Sequence, residues 1–124
     1  METIIIYTDI DLIIKFKNIL EGKKEWSMIE NGDLILLNGS KKVTVERIKS
    51  QDLYDDYSVP FLDIDSLNIY ALHYRNIETI KFLLKIINHE NTWINNDFEE
   101  KNYTYKELIN KIDSDVNWDW RTKT

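Results

Sequence analysis

The sequence predicts an α+β domain: a mainly antiparallel sheet containing a three-stranded meander, with two or three helices packed on one face. Three observations carry this. Two Asn-Gly pairs, Asn31-Gly32 and Asn38-Gly39, stand seven residues apart between apolar runs. Short β-branched runs alternate with segments of helical period. Finally, 124 residues with 43% hydrophobic and 31% charged side chains have the balance of one globular domain, residues 1–124.

Thr3–Tyr7 (TIIIY) reads as a buried first strand. Thr8 or Asp9 is placed to cap a helix, on which Leu12, Ile13, Phe16, Ile19 and Leu20 form one apolar face. Gly22 fits just past its end. The two Asn-Gly pairs suit type I′ turns, whose central residues both need positive φ. They predict strands at Glu25–Glu30, Asp33–Leu37 and Lys41–Ile48, the middle one apolar on both sides and at least partly covered on each.

Residues 50–66 read as an acidic, aromatic connection in which Pro60 fixes an extended piece. Leu67–Arg75 follows as a strand. Asn76 caps a second helix with a stripe of Ile77, Ile80, Leu84 and Ile87. Thr92–Asn95 is a short strand. Thr104 and Glu107 have the spacing of a capping box, after which Tyr105, Leu108, Ile109 and Ile112 face inward. The order is β-α-β-β-β-β-α-β-α, with a further optional strand before Leu67. Trp26 and Trp93 are read as core residues within strands. The aromatic tail Val116–Trp120 either packs back as an anchor or forms a contact surface.

Composition excludes several chemistries. Without Cys there are no disulfides, thiol nucleophiles or thiolate metal sites. With Gly only at positions 22, 32 and 39, no phosphate-binding glycine loop can be written. No Gly-x-Ser-x-Gly elbow exists. The first residues carry Glu2, Asp9 and Asp11 and no basic stretch, so no signal peptide or membrane helix is expected, and the compartment is read as cytoplasmic. His73 reads as a structural or surface residue in a strand, and His89 as a residue at a helix C-terminus, complementing the dipole.

Carboxylates spaced i and i+2 recur at Asp9/Asp11, Asp63/Asp65 and Asp113/Asp115, but none continues as a calcium loop. Asp63 with Glu99-Glu100-Lys101 has the residue types of a divalent-metal hydrolase or nuclease, in which acids hold Mg²⁺ and Lys steadies a water or phosphate. Glu99–Lys101, however, falls in a polar loop. No catalytic residue, metal or cofactor is therefore assigned, and the chain reads as a non-enzymatic protein.

The charge is unevenly distributed. The net −6 argues against a general nucleic-acid or other polyanion partner. Residues 15–49 carry net +3, residues 51–70 net −5 and residues 97–120 net −4. These acids either solvate a surface or meet a basic partner. The candidate contact residues are Asp52, Tyr54, Asp55, Asp56, Tyr57, Asp63 and Asp65 in the first acidic segment, and Asp97, Glu99 and Glu100 in the second. A duller alternative is a homodimeric structural or regulatory domain.

In the second half, Trp93-Ile94-Asn95-Asn96-Asp97-Phe98, the capped helix with Glu107-Leu108-Ile109, and Trp118-Asp119-Trp120 together resemble small bacterial immunity-type proteins encoded beside polymorphic or contact-dependent toxins. The resemblance spans Trp93 to Trp120 and lies in spacing and composition. It implies a cytoplasmic inhibitor that occludes a cognate toxin, for instance a nuclease with a basic groove, without chemistry of its own; whether the chain is a monomer or a homodimer stays open.

Overall fold

The computed structural model describes residues 1–48, 67–99 and 101–122. Seven strands form one sheet: β1 (Glu2–Thr8), β2 (Ser27–Asn31), β3 (Asp33–Asn38), β4 (Lys41–Ile48), β5 (Asn68–Tyr74), β6 (Thr92–Asn95) and β7 (Asn102–Thr104). Three helices accompany them: α1 (Leu12–Leu20), α2 (Ile77–Ile87) and α3 (Tyr105–Ser114). The strand order is β2-β3-β4-β5-β1-β6-β7, and every pairing is antiparallel. This is the expected α+β fold.

The first strand lies inside the sheet, between β5 (Glu2↔Tyr74, Thr8↔Asn68) and β6 (Ile5↔Asn95, Thr8↔Thr92). Its apolar run is therefore buried on both faces. Ile4 and Ile6 join the main core with Leu72, Val45, Leu36 and Ile94. Ile5 and Tyr7 face the other way, with Ile69 and Ala71. All three helices lay their stripes on the Ile4/Ile6 face: Leu12, Phe16 and Leu20 from α1, Ile80, Leu84 and Ile87 from α2, and Leu108 and Ile112 from α3.

The start of α1 differs from expectation. Asp11, and neither Thr8 nor Asp9, is its N-cap, accepting from the Ile14 amide at 3.1 Å. The strand runs on through Thr8, whose hydroxyl meets that of Thr92 at 3.0 Å. Asp9 instead accepts from Asn91 Nδ2 at 2.6 Å and bonds His89 Nε2. Arg47 Nη2 donates to Asp11 at 3.0 Å and to the Tyr70 hydroxyl, which itself accepts from the Leu12 amide at 3.1 Å. Tertiary partners thus decide which of three polar residues becomes the cap.

The meander is present, but its turns are not type I′. Only the glycines have positive φ there, +77° at Gly32 and +62° at Gly39, while Asn31 and Asn38 do not. Asn38 pairs with Lys41, leaving Gly39-Ser40 as a two-residue loop with Gly first, the arrangement of a type II′ turn. Gly32 sits between the paired Asn31 and Asp33. In β3, Leu34 and Leu36 are buried, whereas Ile35 and Leu37 on the other face are half-buried.

Trp26 is buried but stands before β2 and not within it. Its amide closes a turn onto Lys23 O at 3.0 Å and its ring stacks on Phe82, 5.8 Å between centroids. Trp93 is in β6 as expected, half-buried against the smaller Ile5/Tyr7 cluster. The caps Asn76 and Thr104, and the full Thr104/Glu107 capping box, are as read from the sequence. The strand β7 was not anticipated, since three residues are too few to show a period. Among the described residues no helix is long and apolar enough to cross a membrane.

Candidate functional site

Of the ten candidate contact residues, Asp97 and Glu99 are described. Asp52, Tyr54, Asp55, Asp56, Tyr57, Asp63, Asp65 and Glu100 lie outside the described residues. The site that can be built is therefore the second acidic segment.

It starts with two buried asparagines at the end of β6. Asn95 Oδ1 accepts from the Asp97 amide at 2.8 Å, and its Nδ2 donates to Asn102 Oδ1 at 3.2 Å. Asn96 Oδ1 accepts from the Phe98 and Glu99 amides at 3.0 and 2.9 Å. Asn side chains readily bond the backbone two residues ahead, so the pair folds residues 97–99 into a tight turn. Asp97 adopts φ +69° there, and Phe98 projects outward with 44% of its surface exposed.

Glu99 turns inward from the same loop. The Tyr103 hydroxyl lies 3.0 Å from both of its carboxylate oxygens, and Asn96 Nδ2 donates to it at 2.9 Å. Burial, reinforced by the Glu99 charge, pushes the Tyr103 hydroxyl up to about 12. Tyr103 is thus a neutral donor that fixes the carboxylate. Lys101 Nζ lies 3.4 Å from Glu107 Oε2 and over the Tyr103 ring.

The other wall is the tail. Trp120 is 4% exposed, and its indole N–H donates to the buried Tyr74 hydroxyl at 2.6 Å. It is an anchor. Trp118 is half-buried, edge-on to Tyr103 (6.0 Å) and to Trp120 (5.2 Å), with Lys111 Nζ 4.7 Å from its ring centre. Asp119 accepts from Arg121 Nε and Nη2 at 2.9 and 2.8 Å, and the guanidinium holds its carboxyl below the usual range. Arg121 Nη1 also donates to Arg75 O at 2.7 Å, tying the tail to the end of β5. Lys81, buried on α2, donates to Val116 O at 3.3 Å.

Between the loop and the tail lies a groove of about 580 Å³. Phe98, Trp118 and Trp120 supply its aromatic lining, and Glu99, Asp115 and Asp119 line it together with one cationic side chain, Lys111. The lining mixes aromatic rings with an excess of acids over bases, Asp119 being paired with Arg121.

The residues of the metal reading are committed elsewhere. Glu99 is held by Tyr103 and Asn96, Lys101 faces Glu107, and Asp63 lies outside the described residues. Asp9 and Asp11 diverge to different partners, and Asp113 pairs with Lys85 at 2.9 Å. Among the described residues no group of three or more His, Asp or Glu side chains is placed to hold a metal ion. His73 bridges strands, with Thr3 Oγ1 at 2.9 Å and Glu46 Oε1 at 3.0 Å. His89 lies two residues past the end of α2, beyond the left-handed cap Asn88, and bonds Asp9.

The sequence singles out Asp97 and Glu99 as candidate contacts and leaves Trp118 and Trp120 as anchor or contact residues; Asn95 and Asn96 enter there only through the resemblance, and Tyr103 and Lys111 are given no role. The Asn-Asn-Asp run after a strand was a turn signal available for Asn95 and Asn96. In comparison with known proteins, the chain matches no family model, no curated protein and no solved structure at a significant level.

Proposed function

We propose that this chain is a non-enzymatic protein-binding module of the immunity type, which inhibits a cognate toxin by covering it with an acidic and aromatic surface. The observation supporting this reading is the joining of Phe98 and Trp118 with Glu99, Asp115 and Asp119 in one groove. Its parts are held in place before any partner arrives, Glu99 by Tyr103, the loop by Asn95 and Asn96, and the tail by Trp120. Preorganised aromatic groups lose little entropy on binding and serve as anchors. The acidic rim accelerates encounter with a basic surface, such as the substrate groove of a nuclease. Inhibition is then occlusion, with the chemistry left to the partner.

The test uses the product of the adjacent open reading frame. Association is followed by stopped flow for the wild type, Phe98→Ser and Asp115→Asn. The reading expects an on-rate that falls steeply between low and high salt. Asp115→Asn should flatten this dependence, and Phe98→Ser should raise the dissociation rate by about tenfold or more. A salt-independent on-rate, with both variants matching the wild type, would remove this groove from the interface.

A further inference from the structure

At the opposite end of the charge distribution, Ser40, Lys41, Lys42, Arg75 and Asn76 line one recess with Met1. The sheet register brings them together. Thr44 pairs with His73 across β4 and β5, and continuing that register places Lys42 level with Arg75. The Gly39-Ser40 loop delivers Ser40 and Lys41 to the same rim.

None of the lining residues is acidic. The chain has 22 acids and 16 bases, yet Lys41, Lys42 and Arg75 form no ion pair among the described residues, where eight such pairs occur elsewhere. Glu2, the nearest acid along β1, stands opposite Tyr74 in the register and forms no ion pair with Arg75 among the described residues. Three cations around one concavity, with no acid paired to them among the described residues, create a local positive potential in a chain of net charge −6.

The geometry points to an oxyanion-binding site that takes a phosphate group, with Arg75 and Lys42 as the charged ligands and Ser40 and Asn76 as neutral hydrogen-bonding partners. A guanidinium beside an ammonium suits a tetrahedral dianion, since Arg can donate two parallel bonds while Lys supplies a compact charge. The recess, about 350 Å³, is at the small end of ligand-site volumes. It therefore has room for a phosphate-bearing small molecule. It is a local recess and not a basic stripe, so it is compatible with the argument against a polyanion partner.

The test is a titration of the whole protein followed by amide chemical shifts. One arm uses inorganic phosphate, a second a nucleoside monophosphate and a third sodium chloride at matched ionic strength. Saturable shifts confined to Ser40–Lys42 and Arg75–Ile77 are expected with both phosphates and not with chloride. In Lys42→Gln/Arg75→Gln the affinity should drop about tenfold or more, with an unchanged far-ultraviolet circular dichroism spectrum. Tighter binding of the monophosphate would identify a larger phosphate-bearing ligand, and equal binding would identify free phosphate; either supports the site. Shifts that are linear in ionic strength for all three salts would overturn it, as would the same saturation in the double variant.

Discussion

Removing the bond between Trp120 and Tyr74 is the sharpest test of how the tail is held. The two polar atoms are 2.6 Å apart, and the residues that carry them are 4% and 0% exposed. Neither can turn to water when its partner is lost. Tyr74→Phe leaves a buried indole N–H without an acceptor, and Trp120→Phe leaves the Tyr74 hydroxyl without this donor. Each should cost about 1–3 kcal/mol for the stranded group. Trp120→Phe also shrinks a well-packed ring that meets Tyr74 and Trp118 edge-on, adding on the order of 1 kcal/mol. The double variant strands neither group, so its loss should fall short of the sum by about 2 kcal/mol or more. Urea unfolding followed by far-ultraviolet circular dichroism measures all four corners of this cycle without relying on the altered fluorophores. Coupling within about 0.5 kcal/mol of zero would mean that the tail is held by ring packing alone, and the hydrogen-bond argument would fail.

The remaining expectations concern turns, caps and titration. Gly39→Ala should destabilise by about 1–2 kcal/mol from backbone strain alone, because φ is +62° and a Cβ there meets no atom within 4 Å; Gly39→Asn should lose less in the same urea experiment. Thr104→Ala removes half of the capping box and should cost about 1 kcal/mol, read as a shift in the urea midpoint at constant slope. The carboxyls of Asp9, Asp11, Glu107 and Asp119 are held below their usual range, chiefly by hydrogen bonds from Asn91 at Asp9, from the Thr104 backbone at Glu107 and from Arg121 at Asp119; at Asp11 burial opposes the bonds from the Ile14 amide and Arg47. The folded state therefore binds fewer protons than the unfolded one. Stability present above pH of about 4 should be lost as pH falls, and Glu107→Gln should make that acid limb shallower. At the other end, burial pushes Tyr74 and Tyr103 from 10.0 up to about 12. Their contribution is full below pH 10 and lost as pH rises through 12, so an ultraviolet phenolate titration should show a late phase that coincides with unfolding.

How far the sequence could be read depended on the range of the signal. Helix faces, the Asn76 and Thr104 caps and the strands Lys41–Ile48 and Thr92–Asn95 rest on residues within a few positions of one another, and they stand where periodicity puts them. The α1 cap did not, because Thr8, Asp9 and Asp11 have similar local merit. The choice among them came from Thr92, Asn91 and Arg47, all more than thirty residues away. The turn type was likewise misread at Asn31 and Asn38, where the register of the paired strands sets which residue takes positive φ. In the groove, acids and tryptophans were visible as composition, whereas the Tyr103–Glu99 and Trp120–Tyr74 bonds that orient them were not.

The sequence by itself determined the class of fold, the elements other than β7 and the inward faces of the helices, the absence of thiol chemistry and of glycine-rich phosphate loops, and the division of charge into one basic and two acidic stretches. Those follow from side-chain chemistry and from the 2.0 and 3.6 residue periods, which are local. Only the tertiary structure decided that the first strand sits within the sheet, that Trp120 is an anchor while Phe98 stays exposed, and that Lys41, Lys42 and Arg75 share one recess. Each of these depends on which strand lies beside which. That is a matter of sheet order and register between distant segments, and no spacing along the chain encodes it.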